Sequence, residues 1–270
     1  MLQPMPKSEA SCSPLKLRIN SFFDSVGDLT LNLSDSLRFV MKGRIDIGQT
    51  LVQTAVVGFD SLPMSILICV IAGGVLALQT AERFAQSGAE NYVGGLVALA
   101  VIRELGPIFT CLAVGARAGT AIAAEIANMQ VTEQIDALKS MHINPLRYLM
   151  APRLLACVIS LPLLTIVGEI AAVVGGMFVA RSVVNLHYSK YLDSVWLFVK
   201  FSDIRVSLIK AVVFGLILAT ISCTVGLNTR GGARDVGLST TKAVVWVSTT
   251  IIIADFFLTW IFFGPSGSLN

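Results

Sequence analysis

Residues 62–79 read LPMSILICVIAGGVLALQ, a run without one charged side chain. Crossing the hydrocarbon of a bilayer takes about 20 apolar residues, and because lipid satisfies no backbone N–H or C=O group, such a run has to be helical. Four further stretches of this kind follow, at about 92–128, 152–180, 206–226 and 243–264. Five spans predict an all-α integral membrane protein. The composition agrees: 54% of the 270 residues are hydrophobic, 14% are charged, and mean hydropathy is +0.76, far more apolar than a water-soluble domain.

The second stretch is too long for a straight perpendicular crossing. Gly106-Pro107 inside it removes a backbone donor, which predicts a tilted, bent helix reaching past the membrane. Small residues such as Gly94, Gly95, Gly106, Gly115 and Gly119 line it and allow close helix approach, either to a second copy of the chain or within it.

Three regions follow: 1–61, 62–264 with the spans, and a short outward tail at 265–270. From about Pro14 to Phe59, Leu, Ile, Val and Phe mix with Lys16, Arg18, Arg38, Lys42 and Arg44 at helix-like spacing. That pattern suits amphipathic helices on the membrane surface, or a cytosolic helical hairpin packed on a partner. No apolar leader with a cleavage site precedes Pro14, so the chain is expected to begin near Met1. The N-terminal arm carries six Lys and Arg, and the loops at Lys139–Arg153 and Arg230–Lys242 carry three each. The other two loops share five, so the positive-inside rule puts the N-terminus in the cytoplasm.

A net charge of +3 scattered among apolar runs offers no basic face for nucleic acid. Cys69, Cys111, Cys157 and Cys223 lie inside apolar runs without CxxC spacing or a nearby His, which predicts neither a disulfide framework nor a metal site.

Ionisable residues inside a span are costly and normally face a partner or a wet cavity. Arg103 and Glu104 sit deep in the second span, Lys210 in the fourth and Asp255 in the fifth. Counting about 1.5 Å per residue from the outer ends puts Glu104 roughly 18 Å and Asp255 roughly 14 Å deep, with Lys210 shallower on a long stem. Glu104, Lys210 and Asp255 are therefore expected to form one outer-half cluster, either holding helices around a pocket or binding a polar head directly. Arg117 and Glu125, two turns apart nearer the cytosol, are read as structural, snorkelling or pairing at the inner interface.

Between the second and third spans, residues 125–153 read EIANMQVTEQIDALKSMHINPLRYLMAPR. A short polar helix at about 130–141, ended by Asn144-Pro145, presents Thr132, Glu133, Gln134, Asp136 and Met141 on the cytoplasmic side. Such a helix suits docking to a soluble motor subunit, and it equally suits an ordinary solvated connection.

The stretch RELGPIFTCLAVGARAGTAIAAEIANMQVTEQIDALKSMHINPLRYLMAPRLLACVISLPLLT, with Lys210 and GGARDVGLSTTKAVVWVSTTIIIADFFLTWIFFG, resembles the MlaE permease family over about residues 50–264. AEIANMQVTEQ and GGARDVGLSTTKAVV look more like its cyanobacterial and chloroplast-envelope branch than its enterobacterial one. The resemblance implies a homodimeric, multi-pass permease of an ATP-binding-cassette transporter in a bacterial inner membrane or plastid inner envelope. It further implies a cytoplasmic ATPase dimer docked on the 130–141 helix, an MCE-domain lipid-binding protein on the outer side, and phospholipid or a related lipid as cargo. Leu76, Leu78, Phe84 and Leu105 occupy positions matching the family's lipid-contacting residues, and Ser87 stands where its pocket carries an aromatic. The chain has no G-x-x-x-x-G-K-[ST] loop, so no cofactor is expected in it, and ATP and Mg would belong to the partner ATPase.

Two rival readings remain: a secondary carrier using Glu104 and Asp255 as ion sites, and a membrane scaffold for a lipid enzyme. The short chain, odd span count and absent internal repeat argue against the carrier.

Overall fold

The computed structural model describes residues 27, 29–36, 38, 39, 47–86 and 88–264. The predicted chain start, much of the N-terminal arm, Ser87 and the tail at 265–270 lie outside them. Among the described residues all regular structure is helical. We number the helices α1 Ile47–Gly58, α2 Leu62–Ala85, α3 Glu90–Val131, α4 Gln134–Ser140, α5 Leu146–Val184, α6 Tyr188–Phe198, α7 Phe201–Leu227 and α8 Ala233–Phe263. Five helical stretches are long and apolar enough to cross a membrane: α1 running into α2, then α3, α5, α7 and α8.

Each helix overruns its apolar stretch, because local caps rather than the hydrocarbon border decide where backbone hydrogen bonding begins and ends. At the start of α7 the Asp203 carboxylate accepts the Lys200 backbone N–H at 3.0 Å, and at the start of α8 Asp235 accepts that of Gly232 at 3.1 Å. The 27 residues of α7 then extend about 40 Å at ~1.5 Å per residue.

Helix α3 contains two π-helical turns, Val101–Leu105 and Gly115–Gly119. The first lies directly before Gly106-Pro107, where the Gly106 amide reaches back to Val101 O. A π turn is a common response to a residue that breaks the regular ladder.

Helices α2 and α5 pack backbone against backbone. A Cβ added to Gly73 would lie 2.1 Å from the Ala172 carbonyl oxygen, and one on Gly175 would lie 2.5 Å from that of Val70. The small residues of α3 are likewise used inside the chain: Gly94 and Gly95 meet α6, Gly106 meets Glu169, and Gly115 and Gly119 meet α7 and α8. Of the two packing options open for that stripe, the intrachain one accounts for these five glycines.

Helix α8 buries only Ser239, Ala243, Val247, Ile251 and Asp255. These are every fourth residue, one narrow stripe, and Trp246, Phe256 and Trp260 point outward. In the N-terminal region Leu29 and Leu33 pack on the main core, and Asn32 Nδ2 donates to Thr224 Oγ1 at 3.2 Å. A loop is expected between the third and fourth of the membrane spans; the structure instead places the amphipathic helix α6 between α5 and α7.

Candidate functional site

An amide at position 107 would, in a regular α-helix, bond to the carbonyl of residue 103, but Pro107 has none to offer. The Arg103 carbonyl accepts instead from Lys210 Nζ of α7, at 2.8 Å. The same ammonium donates to Glu104 Oε2 at 2.9 Å and to Thr259 Oγ1 of α8 at 2.7 Å. Its three hydrogens are thereby matched, and Asp255 Oδ1 lies 2.9 Å away as an ionic neighbour. Thr259 Oγ1 donates in turn to the Glu104 carboxylate at 3.0 Å. Position 259 falls one helical step beyond Asp255 on the buried α8 stripe, which is why both side chains reach one lysine.

Lys210 is fully enclosed, the Asp255 side chain is 10% exposed and that of Glu104 33%. The cluster thus has a closed side, where lysine and aspartate neutralise each other, and an open side, where the glutamate reaches the surface. A lysine at 0% exposure is tolerable in apolar surroundings only with this kind of compensation.

Arg103 turns away from Lys210. Its Nε and Nη2 both donate to Asp203 Oδ1 at 2.8 Å, and its guanidinium lies 4.4 Å from the centre of the Phe263 ring. Asp203 is buried and also caps α7, so this pair fixes the start of α7 against α3. Beside the π turn, the buried Glu169 of α5 takes a short hydrogen bond from Ser207 Oγ, and its Cγ would sit 2.6 Å from a Cβ on Gly106.

The structure therefore brings together Glu104, Lys210 and Asp255 and sets Arg103 in an adjoining pair. Asp203, Thr259, Glu169 and Ser207 belong to the same region without having been singled out. Glu169 was legible as an acid inside the apolar run at 152–180; a Thr or Ser in a span carries no such signal. Leu76 and Phe84 pack inward against the α2–α5 core, Leu78 faces outward at 46% exposure, and Leu105 is half-buried beside Glu104. These four do not share one face. Arg117 and Glu125 do not pair with each other: Arg117 meets Asp60 in the turn between α1 and α2 at 3.1 Å, and Glu125 meets the buried Arg153 of α5 at 2.8 Å.

The segment expected as one helix at 130–141 is divided. Helix α3 stops at Val131, Glu133 adopts φ 60°, and α4 runs from Gln134 to Ser140. Ile135 is buried, whereas Thr132, Glu133, Gln134, Asp136 and Met141 are all exposed, with Asp136 paired to Lys139 at 2.8 Å. The result is a polar knob pinned by buried Ile135, with Leu138 packed partly against the same core.

The Permease MlaE family profile matches residues 50–261. The chain belongs to the MlaE permease family. A probable ABC transporter permease protein of Synechocystis is 39% identical over 228 residues, 84% of this chain and 87% of that one. One from Rickettsia typhi is 38% identical over 242 residues, covering 90% and 93%. The protein named TRIGALACTOSYLDIACYLGLYCEROL 1, chloroplastic, of Arabidopsis thaliana is 37% identical over 228 residues, 84% of this chain and 65% of the relative. This MlaE-family chain is accordingly a multi-pass membrane protein and an ABC transporter permease subunit, and the matched region takes in both the Lys210 cluster and α4.

Proposed function

We propose that this permease moves phospholipid or a related lipid between membranes, as a homodimer driven by a cytoplasmic ATPase dimer and served by an outer-side MCE-domain lipid-binding protein. The observation that carries the reading is the Lys210 cluster. It ties α3, α7 and α8 at one depth inside the apolar bundle and leaves the Glu104 carboxylate reachable from the surface, beside half-buried Leu105. A site with a polar edge against an apolar wall suits an amphipathic lipid, the head near Glu104 and the chains along neighbouring apolar helices. Leu78 and Leu105 are candidates for the chain contacts, with Leu76 and Phe84 shaping the wall from behind.

Family membership supports the ATPase partner, which binds the ATP and Mg, and the exposed polar face of α4 gives it a surface of suitable chemistry. The single buried stripe on α8 supports a dimer, since the rest of that helix offers apolar surface to a second copy or to lipid. On this reading the α4 end and the N-terminus face the cytoplasm of a bacterial inner membrane, or the corresponding side of a plastid inner envelope. The test is transfer of labelled phospholipid between donor and acceptor vesicles by the permease reconstituted with its ATPase. ATP-dependent transfer is expected, and a complex that hydrolyses ATP yet transfers no phospholipid overturns the lipid assignment.

A further inference from the structure

Helix α6 lies at the opposite end of the bundle from α4, and its two faces differ. Tyr191 and Ser194 are buried against the start of α3, where a Cβ on Gly94 would come within 2.5 Å of the Tyr191 carbonyl oxygen. The Gly95 N–H donates to Ser194 Oγ at 2.9 Å, and burial pushes the Tyr191 phenol up, so that it stays neutral. This face fixes α6 to the bundle.

The other face is open and carries large apolar side chains, with Ser189, Lys190 and Asp193 exposed among them. Tyr188, Leu192 and Trp196 recur at every fourth residue, Trp196 is 80% exposed, and Leu197 and Phe201 are each 73% exposed. That surface continues an exposed apolar stripe on the membrane span α5, since the rings of Phe178 and Tyr188 stand edge to face with centroids 6.2 Å apart. Cations rim it: the Arg181 guanidinium lies 5.5 Å from the Tyr188 ring centre, that of Arg205 lies 5.5 Å from the Phe201 ring centre, and Lys200 is exposed between them in sequence. Aromatic rings with an apolar body and a polar edge, flanked by Lys and Arg at the end of a span, match the chemistry of the boundary between acyl chains and head groups.

We infer that this face of α6 is a membrane anchor, lying in the head-group boundary of the leaflet at its own end of the bundle, with Trp196 and Leu197 among the upper acyl chains and Arg181, Lys200 and Arg205 against lipid phosphates. The Phe178–Tyr188 contact selects lipid over a protein partner, because it joins the α6 side chains to the exposed apolar stripe that runs down the span.

The test uses the full chain in nanodiscs with Trp196 as sole tryptophan, through Trp246→Phe and Trp260→Phe. Phosphatidylcholine brominated near the top of its chains is expected to remove most of the Trp196 emission, and lipid brominated near the chain ends much less. Emission at the wavelength of water-exposed tryptophan without quenching overturns the proposal, as does stronger quenching by the deep bromines. Should the tryptophan replacements unfold the chain, a nitroxide on Leu197→Cys serves instead, in a Cys12→Ser background in which the four remaining cysteines are buried. Relaxation by dissolved oxygen at interfacial depth is expected. Relaxation only by a water-soluble chelate means that the face is in water, and protection from both reagents means that protein covers it; either result overturns the proposal.

Discussion

Pro107 and Arg103 are four residues apart on α3, and the carbonyl that the proline ring leaves without its regular amide is the one that receives the Lys210 ammonium at 2.8 Å. A backbone defect in one helix has become the acceptor for a charge on another. The adjoining π turn places Arg103 and Glu104 so that one serves Asp203 and the other serves Lys210.

Pro107→Ala tests that relationship. Helix propensity alone predicts a gain of about 3 kcal/mol on replacing an interior proline. The new amide, however, competes for the Arg103 carbonyl, and a hydrogen bond to a charged donor is worth about 1.5–3 kcal/mol. The expected outcome is a thermal midpoint in detergent close to that of the parent chain. A double-mutant cycle with Lys210→Met should return a coupling of about 1.5–3 kcal/mol. A large simple gain in stability, with no coupling, would mean that the two residues act independently.

Lys210→Ala should be far more harmful than its size suggests, because it strands Asp255 and Glu104 together in an apolar site; breaking a buried pair costs roughly 3–5 kcal/mol. Neutralising Glu104 alone does not repair this, since Asp255 Oδ1 is also 2.9 Å from the lysine. Glu104→Gln, Lys210→Met and Asp255→Asn combined should restore much of the lost stability, whereas the version that keeps Asp255 charged should not. Transport separates the roles: a triple variant that folds and supports ATP hydrolysis but moves no lipid gives the cluster a direct part in handling the head group, and one that also moves lipid leaves it a structural lock.

The five spans were legible because hydrocarbon imposes one rule over some 20 residues at a time. The Lys210 cluster was legible for the opposite reason: four ionisable residues in apolar runs are conspicuous whichever way the helices turn. What composition could not convey was pairing. Arg103 stands next to Glu104 in sequence as a deep ionisable residue, yet its side chain pairs with Asp203, a residue just beyond the expected edge of the fourth apolar run. Thr259 and Ser207 escaped because a hydroxyl in a span usually satisfies itself on its own backbone, as Ser248 does on the Val244 carbonyl. Helix α6 escaped because its 11 residues are too short for a span, so the segment reads as part of a connecting loop although its apolar residues recur at helical spacing.

Gly73→Ala should destabilise the chain more than Gly115→Ala, although both add one methyl group in a span. At Gly73 the new carbon meets the Ala172 carbonyl at 2.1 Å, backbone that cannot yield without parting α2 from α5. At Gly115 the nearest atom is the Val247 side chain at 3.2 Å, which can rotate or shift slightly. Overpacking of the first kind costs about 1–3 kcal/mol or more. Thermal unfolding of the two variants in one detergent checks the order, and equal midpoints would show that the α2–α5 contact opens more easily than its geometry implies.

The last prediction separates the outward and inward faces of α4. Glu133→Lys or Asp136→Lys reverses charge at an exposed position, and the Asp136–Lys139 pair it disturbs is a surface contact that contributes little to stability. Insertion and thermal midpoint should therefore remain near those of the parent chain. If the polar knob is the docking surface for the ATPase, the same substitutions should lower the amount of ATPase that copurifies and the ATP-dependent transfer with it, because like charge opposed across an interface is costly even where the fold is indifferent. Ile135→Asp attacks the other face: a side chain at 1% exposure becomes a buried, unpaired carboxylate, so stability and ATPase binding should fall together. A Glu133→Lys, Asp136→Lys chain that retains its full complement of ATPase, while Ile135→Asp loses it only through unfolding, would leave α4 an ordinary connection and send the search for the docking surface elsewhere on that end of the bundle.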